Sequence, residues 1–157
     1  MMESRERKAS DIMTREVATV YSDATIAEVV KLLLEKRISG VPVISRQGAV
    51  LGVISEGDLL YKDKKLHYPS YITILDGVFF LESPKRFEEE FKKSIALKAE
   101  ELMTRDALTV EEDATIAEMA TLMTENKINR LPVVAHGKLV GIVTRADIIR
   151  AMTEDLL

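Results

Sequence analysis

The segment Asp23-Ala24-Thr25-Ile26-Ala27-Glu28 returns letter for letter as Asp113-Ala114-Thr115-Ile116-Ala117-Glu118. Working outward, Met13-Thr14 matches Met103-Thr104, and Val41-Pro42-Val43 matches Leu131-Pro132-Val133. The offset is constant, since 103 − 13, 113 − 23 and 132 − 42 all give 90. A register shared over this length implies two copies of one supersecondary unit. Two copies are too few for a solenoid, so they must bury their apolar faces against each other. Clefts between quasi-symmetric halves are usual places for ligands.

Each copy reads as extended segment, helix, strand, turn, strand, helix. Thr25-x-x-Glu28 and Thr115-x-x-Glu118 are capping boxes, in which hydroxyl and carboxylate each satisfy an amide at the helix start. Ile26, Val29, Val30 and Leu33 follow at helical spacing, matched by Ile116, Met119, Ala120 and Met123, and predict one core-facing side per helix. A strand follows over Val41-Pro42-Val43-Ile44, with Pro42 expected at its start or at an open edge because proline donates nothing to a ladder. Arg46-Gln47-Gly48 supplies a turn and Val50-Leu51-Gly52-Val53-Ile54 returns. The second copy runs Leu131–Val134, His136-Gly137, Leu139–Val143. It is shorter by one residue, since 141 − 52 and 147 − 58 give 89, and a hairpin turn tolerates that change best. Both returning strands end in a hydroxyl followed three residues later by aspartate: Ser55-Glu56-Gly57-Asp58 and Thr144-Arg145-Ala146-Asp147. These form the candidate site.

The chain has 157 residues, a formal net charge of −4 and no cysteine. Its lysines and arginines are interspersed with acids, which argues against a nucleic-acid surface. Disulfides and thiolate metal sites are excluded. No run approaches the roughly 18 apolar residues of a membrane span, and the charged N-terminus leads into no apolar segment, so a cytoplasmic, membrane-free protein is expected. Neither histidine, His67 nor His136, has a second metal ligand at a characteristic spacing, and no GxxxxGK phosphate loop occurs. Neither a catalytic residue nor a metal site is therefore predicted, and an enzyme is not expected.

Between the copies, Tyr71-Ile72-Thr73-Ile74-Leu75 and Val78-Phe79-Phe80-Leu81 flank Asp76-Gly77, a dipeptide that favours tight turns. Ser83-Pro84 then opens a charged helix expected from Arg86 to about Ala99, with Phe87 and Phe91 on one face.

Taken in order and twice over, the Met-Thr opening, the Val/Leu-Pro-Val strand, the Gly-Val-Ile/Ile-Val strand and the closing Ser/Thr-x-x-Asp resemble a pair of cystathionine β-synthase-type (CBS) domains, a Bateman module. The resemblance covers about residues 10 to 60 and 100 to 152. It divides the chain into a first unit over 8–62, an insert over 63–98 outside the family pattern, and a second unit over 99–157. It implies an α/β (α+β) fold of two β-α-β-β-α units about a pseudo-two-fold axis. It also implies clefts for adenosine-containing ligands such as AMP, ADP, ATP or S-adenosylmethionine as regulators, with no obligatory cofactor. A homodimer acting on a separate effector protein is the expected working form.

The chemistry suits that ligand class. A carboxylate accepts two hydrogen bonds, so Asp58 or Asp147 can hold the 2′ and 3′ hydroxyls of one ribose. Ser55 and Thr144 stand at predicted helix N-termini, where amides and dipole favour a phosphate; the same arrangement is also an ordinary helix cap. Val17-Ala18 and Ala107-Leu108 are apolar enough for an adenine. The resemblance marks Asp147, Thr144, Arg130, Leu131, Pro132, Thr14, Val17 and Ala18 for ligand contact, and likewise Asp58, Ser55, Val41, Pro42, Thr104 and Leu108. In relatives the opening segment of one copy meets the aspartate of the other, which pairs Asp147 with Val17 and Asp58 with Leu108. Arg130 and Arg145, where the first copy has Gly40 and Glu56, predict tighter binding of phosphorylated ligands at Asp147. The competing expectation is a dimerisation or protein-interaction platform that binds no small molecule and uses the insert as its contact surface.

Overall fold

A computed structural model describes residues 6–60, 71–74, 77–80, 84–154 and 156–157. The first copy contributes α1 (Ala9–Ile12), β1 (Val20–Tyr21), α2 (Ile26–Lys36), β2 (Gly40–Ile44), β3 (Val50–Ser55) and α3 (Glu56–Leu60). The insert adds β4 (Tyr71–Ile74), β5 (Gly77–Phe80) and α4 (Pro84–Ile95). The second copy repeats the pattern as α5 (Ala99–Leu102), β6 (Thr104–Arg105), β7 (Val110–Glu111), α6 (Ile116–Glu125), β8 (Arg130–Ala135), β9 (Lys138–Thr144) and α7 (Arg145–Glu154). This is the mixed α/β pattern read from the sequence.

The compact units do not coincide with the copies. One joins the residues up to Thr19 and the hairpin tip Ile44–Leu51 to Asp106–Leu157; the other joins Val20–Val43 to Gly52–Arg105. Each copy thus lends its opening segment to the body of the other, and the backbone hydrogen bonds say how. In the first unit Ala9 N donates to Ala114 O at 2.8 Å and Ser10 N to Glu112 O at 3.0 Å. In the second, Ala99 N donates to Ala24 O at 2.7 Å and Glu100 N to Ser22 O at 3.1 Å. The segments then run on beside the returning strands, as an isolated bridge in the first unit and as the strand β6 in the second. Thr14 and Ile142 exchange both backbone bonds, at 2.9 and 3.0 Å, while β6 pairs antiparallel with β3, Thr104 opposite Val53 and Arg105 opposite Gly52.

The short helices α1 and α5 escape a periodicity reading because one turn is too short to show a period or to be stable alone. Their first turns are tied by a side chain, with Lys8 N donating to Asp11 Oδ2 at 2.8 Å and Lys98 N to Glu101 Oε2 at 2.7 Å. The two longer helices start where the capping boxes placed them. Glu28 N donates to Thr25 Oγ1 at 3.2 Å and Thr25 N to Glu28 Oε2 at 2.9 Å; the second copy repeats this at 3.1 and 2.8 Å.

The first unit's core gathers Ala9, Met13, Val110, Met119, Met123, Leu131, Val133, Val143 and Ile148. Corresponding positions are buried in the second unit: Ala99, Met103, Val29, Leu33, Val41, Val43, Ile54 and Leu59. Two glycines let the opening segments come this close. A Cβ on Gly52 would stand 2.5 Å from Thr104 O and 2.8 Å from Met103 Sδ, and one on Gly141 would run into Met13 Sδ and stand 2.7 Å from its Cγ.

The insert's helix ends earlier than expected, and neither proline stands at the start of its strand. Pro132 lies inside β8, paired with Ile142; β7 pairs with Val133 and Val134, which leaves the edge beside Pro132 open among the described residues. Pro42 occupies the same interior place in β2, in a strand flanked on both sides. The charged helix ends at Ile95, short of Ala99, because Leu97 O accepts from Ile26 N at 2.8 Å and the chain turns extended at Lys98. Gly77 pairs with Ile74 at the end of the β4–β5 ladder. Leu75, Asp76, His67, Leu81 and Ser83 lie outside the described residues, as do the side chains of Phe79, Phe80, Phe87 and Phe91.

Candidate ligand-binding site

Both closing motifs form as strand-to-helix corners. At the end of β9, Thr144 N and Thr144 Oγ1 donate to Asp147 Oδ2 at 2.8 and 3.0 Å, and Asp147 N donates back to Thr144 Oγ1 at 3.3 Å. At the end of β3, Ser55 N and Ser55 Oγ donate to Asp58 Oδ2 at 2.9 and 3.2 Å. One carboxylate oxygen of each aspartate therefore caps its helix, which fixes the side chain and turns the second oxygen outward. That oxygen differs between the copies. Asp58 Oδ1 accepts from Thr104 Oγ1 at 2.8 Å, whereas Asp147 Oδ1 faces Arg150 Nη1 at 3.5 Å.

The first unit holds Thr14, Val17, Ala18, Arg130, Thr144 and Asp147 together. Thr14 is bonded to Ile142, two residues before Thr144, and Arg130 stands opposite Thr144 across the β8–β9 ladder. Val17 and Ala18 are half-buried. Leu131 and Pro132, like Val41 and Pro42, are fully buried, so their side chains are spent on the core. Ser55, Asp58 and Thr104 belong to the second unit, while Leu108, 40% exposed, belongs to the first.

The helix amides are less available than the sequence suggests. Arg145 N already donates to Asn129 O and Glu56 N to Ser39 O, each at 3.0 Å. Asp147 N is engaged as well, so the positive charge at the start of α7 comes chiefly from cationic side chains. Here the copies differ most. Arg130 and Arg145 stand where the first copy has Gly40 and Glu56, and Arg150 adds a third cation beside Asp147. Arg145 also reaches Asn129 Oδ1 at 3.5 Å. Arg150 and Asn129 were not singled out from the sequence; the three-residue spacing from Asp147 to Arg150 on one helix was the available signal.

A separate surface groove of about 520 Å³ is lined by Val110, Ala114, Ala117, Glu118, Thr121 and Leu122, none of them an expected ligand contact. Among the described residues no cluster of His, Cys, Asp or Glu could hold a metal ion, and no helix is long and apolar enough to cross a membrane.

Doubled corners and exchanged opening segments define a tandem pair of one small α/β unit. Residues 9–65 and 99–154 each match the CBS domain, and the chain belongs to the CBS domain family. It is 35% identical over 150 residues to the uncharacterized protein MJ1426 of Methanocaldococcus jannaschii, covering 90% of this chain and 89% of that one. It is 32% identical over 150 residues to the chloroplastic CBS domain-containing protein CBSX2 of Arabidopsis thaliana, covering 90% of this chain but only 61% of that protein. The crystal structure of CBSX2 in complex with AMP superposes with a TM-score of 0.72 at 29% identity, covering 96% of this chain and 98% of that one.

Proposed function

We propose that this chain is a regulatory module that senses an adenosine-containing nucleotide of the AMP, ADP and ATP class, with Asp147 and Asp58 accepting hydrogen bonds from ribose hydroxyls. The observation that carries the reading is the doubled corner. A carboxylate is locked through one oxygen by its own Ser or Thr, and it lies at the strand where the other copy's Met-Thr segment is laid on. The AMP complex of the similar CBSX2 supports the ligand class. In the first unit, Arg130, Arg145 and Arg150 supply charge for phosphate groups, so phosphorylated ligands bind more tightly there than at Asp58. Two identical binding constants per chain in a calorimetric titration with ATP would contradict that inequality. The module works without catalysis of its own, as a homodimer, and passes occupancy to an effector protein.

A thermal-shift series with AMP, ADP, ATP and S-adenosylmethionine tests the reading. A ligand at a hundred times its dissociation constant adds about 2.7 kcal/mol, a rise of roughly 5–11 °C for a chain of this size. Absence of any rise, in protein unfolded and refolded to strip bound nucleotide, would instead favour an interaction platform that takes no small molecule.

A further inference from the structure

In the first unit, Thr14, Val17 and Ala18 belong to the opening segment and Asp147 belongs to α7, so whatever joins those two pieces of chain bears on the site between them. The opening segment is laid down through Ala9 N to Ala114 O, Ser10 N to Glu112 O and the Thr14–Ile142 pair, and α1 packs against β9 and α7. Just ahead of α1, Arg7 fastens the same join at α7. Its Nη1 donates to Glu154 Oε2 at 3.0 Å, and its Nη2 donates to the backbone oxygen of Ala151.

Ala151 O belongs to the last turn of α7, where carbonyls run out of helical donors and the helix dipole favours a cation. Ala151 is also four residues beyond Asp147, one turn along the same face. The Arg7 side chain is 27% exposed and that of Glu154 57%, so solvent screens the ion pair and the part-buried bond to the carbonyl carries more of the clasp. With the offset of 90, the residue equivalent to Arg7 is Leu97, whose side chain has no donor. The clasp is a feature of the first unit alone.

We infer that Arg7 is a positioning residue of the Asp147 site: by tying the opening segment to the last turn of α7, it holds Thr14, Val17 and Ala18 in place against the helix that carries the carboxylate. The inference rests on the reading of Asp147 as a ribose acceptor. By linkage, a ligand that touches both pieces must in turn steady the opening segment, so occupancy is felt at the start of the chain.

The test uses full-length Asp58→Ala, in which the Asp147 site alone remains, and the same chain carrying Arg7→Met or, as a control, Thr25→Ala, which removes a helix cap in the other unit. Adenosine affinity is read by calorimetry, and exchange of the Ala9, Ser10 and Thr14 amides by NMR, with and without adenosine. Arg7→Met should weaken adenosine binding about five- to tenfold, the low end for coupled sites because α1 has other contacts. Its three amides should exchange faster than in Asp58→Ala and slow again at saturating adenosine. Thr25→Ala should lower Tm and leave the affinity unchanged. Parental affinity in Arg7→Met, weaker binding without faster exchange of those amides, or an equal loss of affinity in Thr25→Ala overturns the positioning role. An Asp58→Ala chain that binds neither adenosine nor AMP removes the reading of Asp147 itself, and the role of Arg7 with it. An Asp58→Ala chain that binds adenosine no more tightly than its Arg7→Met variant removes the role of Arg7 alone.

Discussion

Replacing Gly52 by alanine should loosen the exchange of opening segments, and the geometry sets how much. The new methyl would lie 2.5 Å from the carbonyl oxygen of Thr104 and 2.8 and 3.1 Å from Sδ and Cγ of Met103. The sulfur can swing away, but the carbonyl belongs to the strand paired with β3 and cannot move without opening that ladder. Overpacking of this kind costs about 1–3 kcal/mol. A backbone clash puts Gly52→Ala near the upper end, about 2–3 kcal/mol, or a fall in Tm of roughly 4–12 °C. Gly141→Ala differs in kind, because the three nearest atoms to its methyl all belong to the Met13 side chain. Urea titrations of both glycine variants, alone and with Met103→Ala or Met13→Ala, separate the two cases as double-mutant cycles. In the Met13→Ala background Gly141→Ala should cost almost nothing. In the Met103→Ala background Gly52→Ala should keep most of its cost. Full rescue of Gly52→Ala by Met103→Ala, or a Gly52→Ala chain as stable as its parent, would refute the claim that the Thr104 backbone is seated against this strand.

Thr25→Ala and Thr115→Ala each remove a capping hydroxyl, and each should lower stability by about 1 kcal/mol, a Tm loss of roughly 2–4 °C by calorimetry. Gly57 sits in α3 with only Ser55 Oγ near its missing Cβ, at 3.6 Å, and the second copy carries Ala146 there, so Gly57→Ala should stabilise by about 0.5–1 kcal/mol. Gly137 has a φ of 75° in the His136-Gly137 loop, so Gly137→Ala should instead cost about 1–2 kcal/mol although space is open around it. Equal effects of the two glycine changes in a urea titration would contradict this. Arg130→Ala should weaken ATP binding at the Asp147 site about tenfold and leave adenosine binding unchanged, as read by paired titrations; an equal loss for both would place Arg130 away from the phosphates.

The repeat was legible because its signals are local. A capping box needs only Thr25 and Glu28, and an apolar stripe needs only the spacing of Ile26, Val29 and Leu33. Gly48, at φ 88°, and the His136-Gly137 pair mark their turns for the same reason. What the sequence hid depends on distant partners. Nothing within Ala9–Ile12 or Ala99–Leu102 announces a helix, because Ala114 O and Ala24 O anchor those turns from the other copy. The end of α4 is set by Ile26 reaching Leu97 O, a contact that no window around Ile95 contains. Pro42 was expected at a strand start or an open edge; that it lies inside β2, beside a β1 of only two residues, is not written in its own segment. At the site, the Ser/Thr-x-x-Asp spacing revealed the corner. That one oxygen of Asp58 is met by Thr104, 46 residues away, is a tertiary fact.

The most direct measurement is a calorimetric titration of AMP and ATP into the parent chain, Asp147→Ala, Asp58→Ala and the double variant. The account predicts binding in the parent, a loss of at least tenfold in affinity in Asp147→Ala, near-parental tight binding in Asp58→Ala and none in the double variant. Undiminished binding by the double variant would contradict the assignment of the ribose to these two carboxylates.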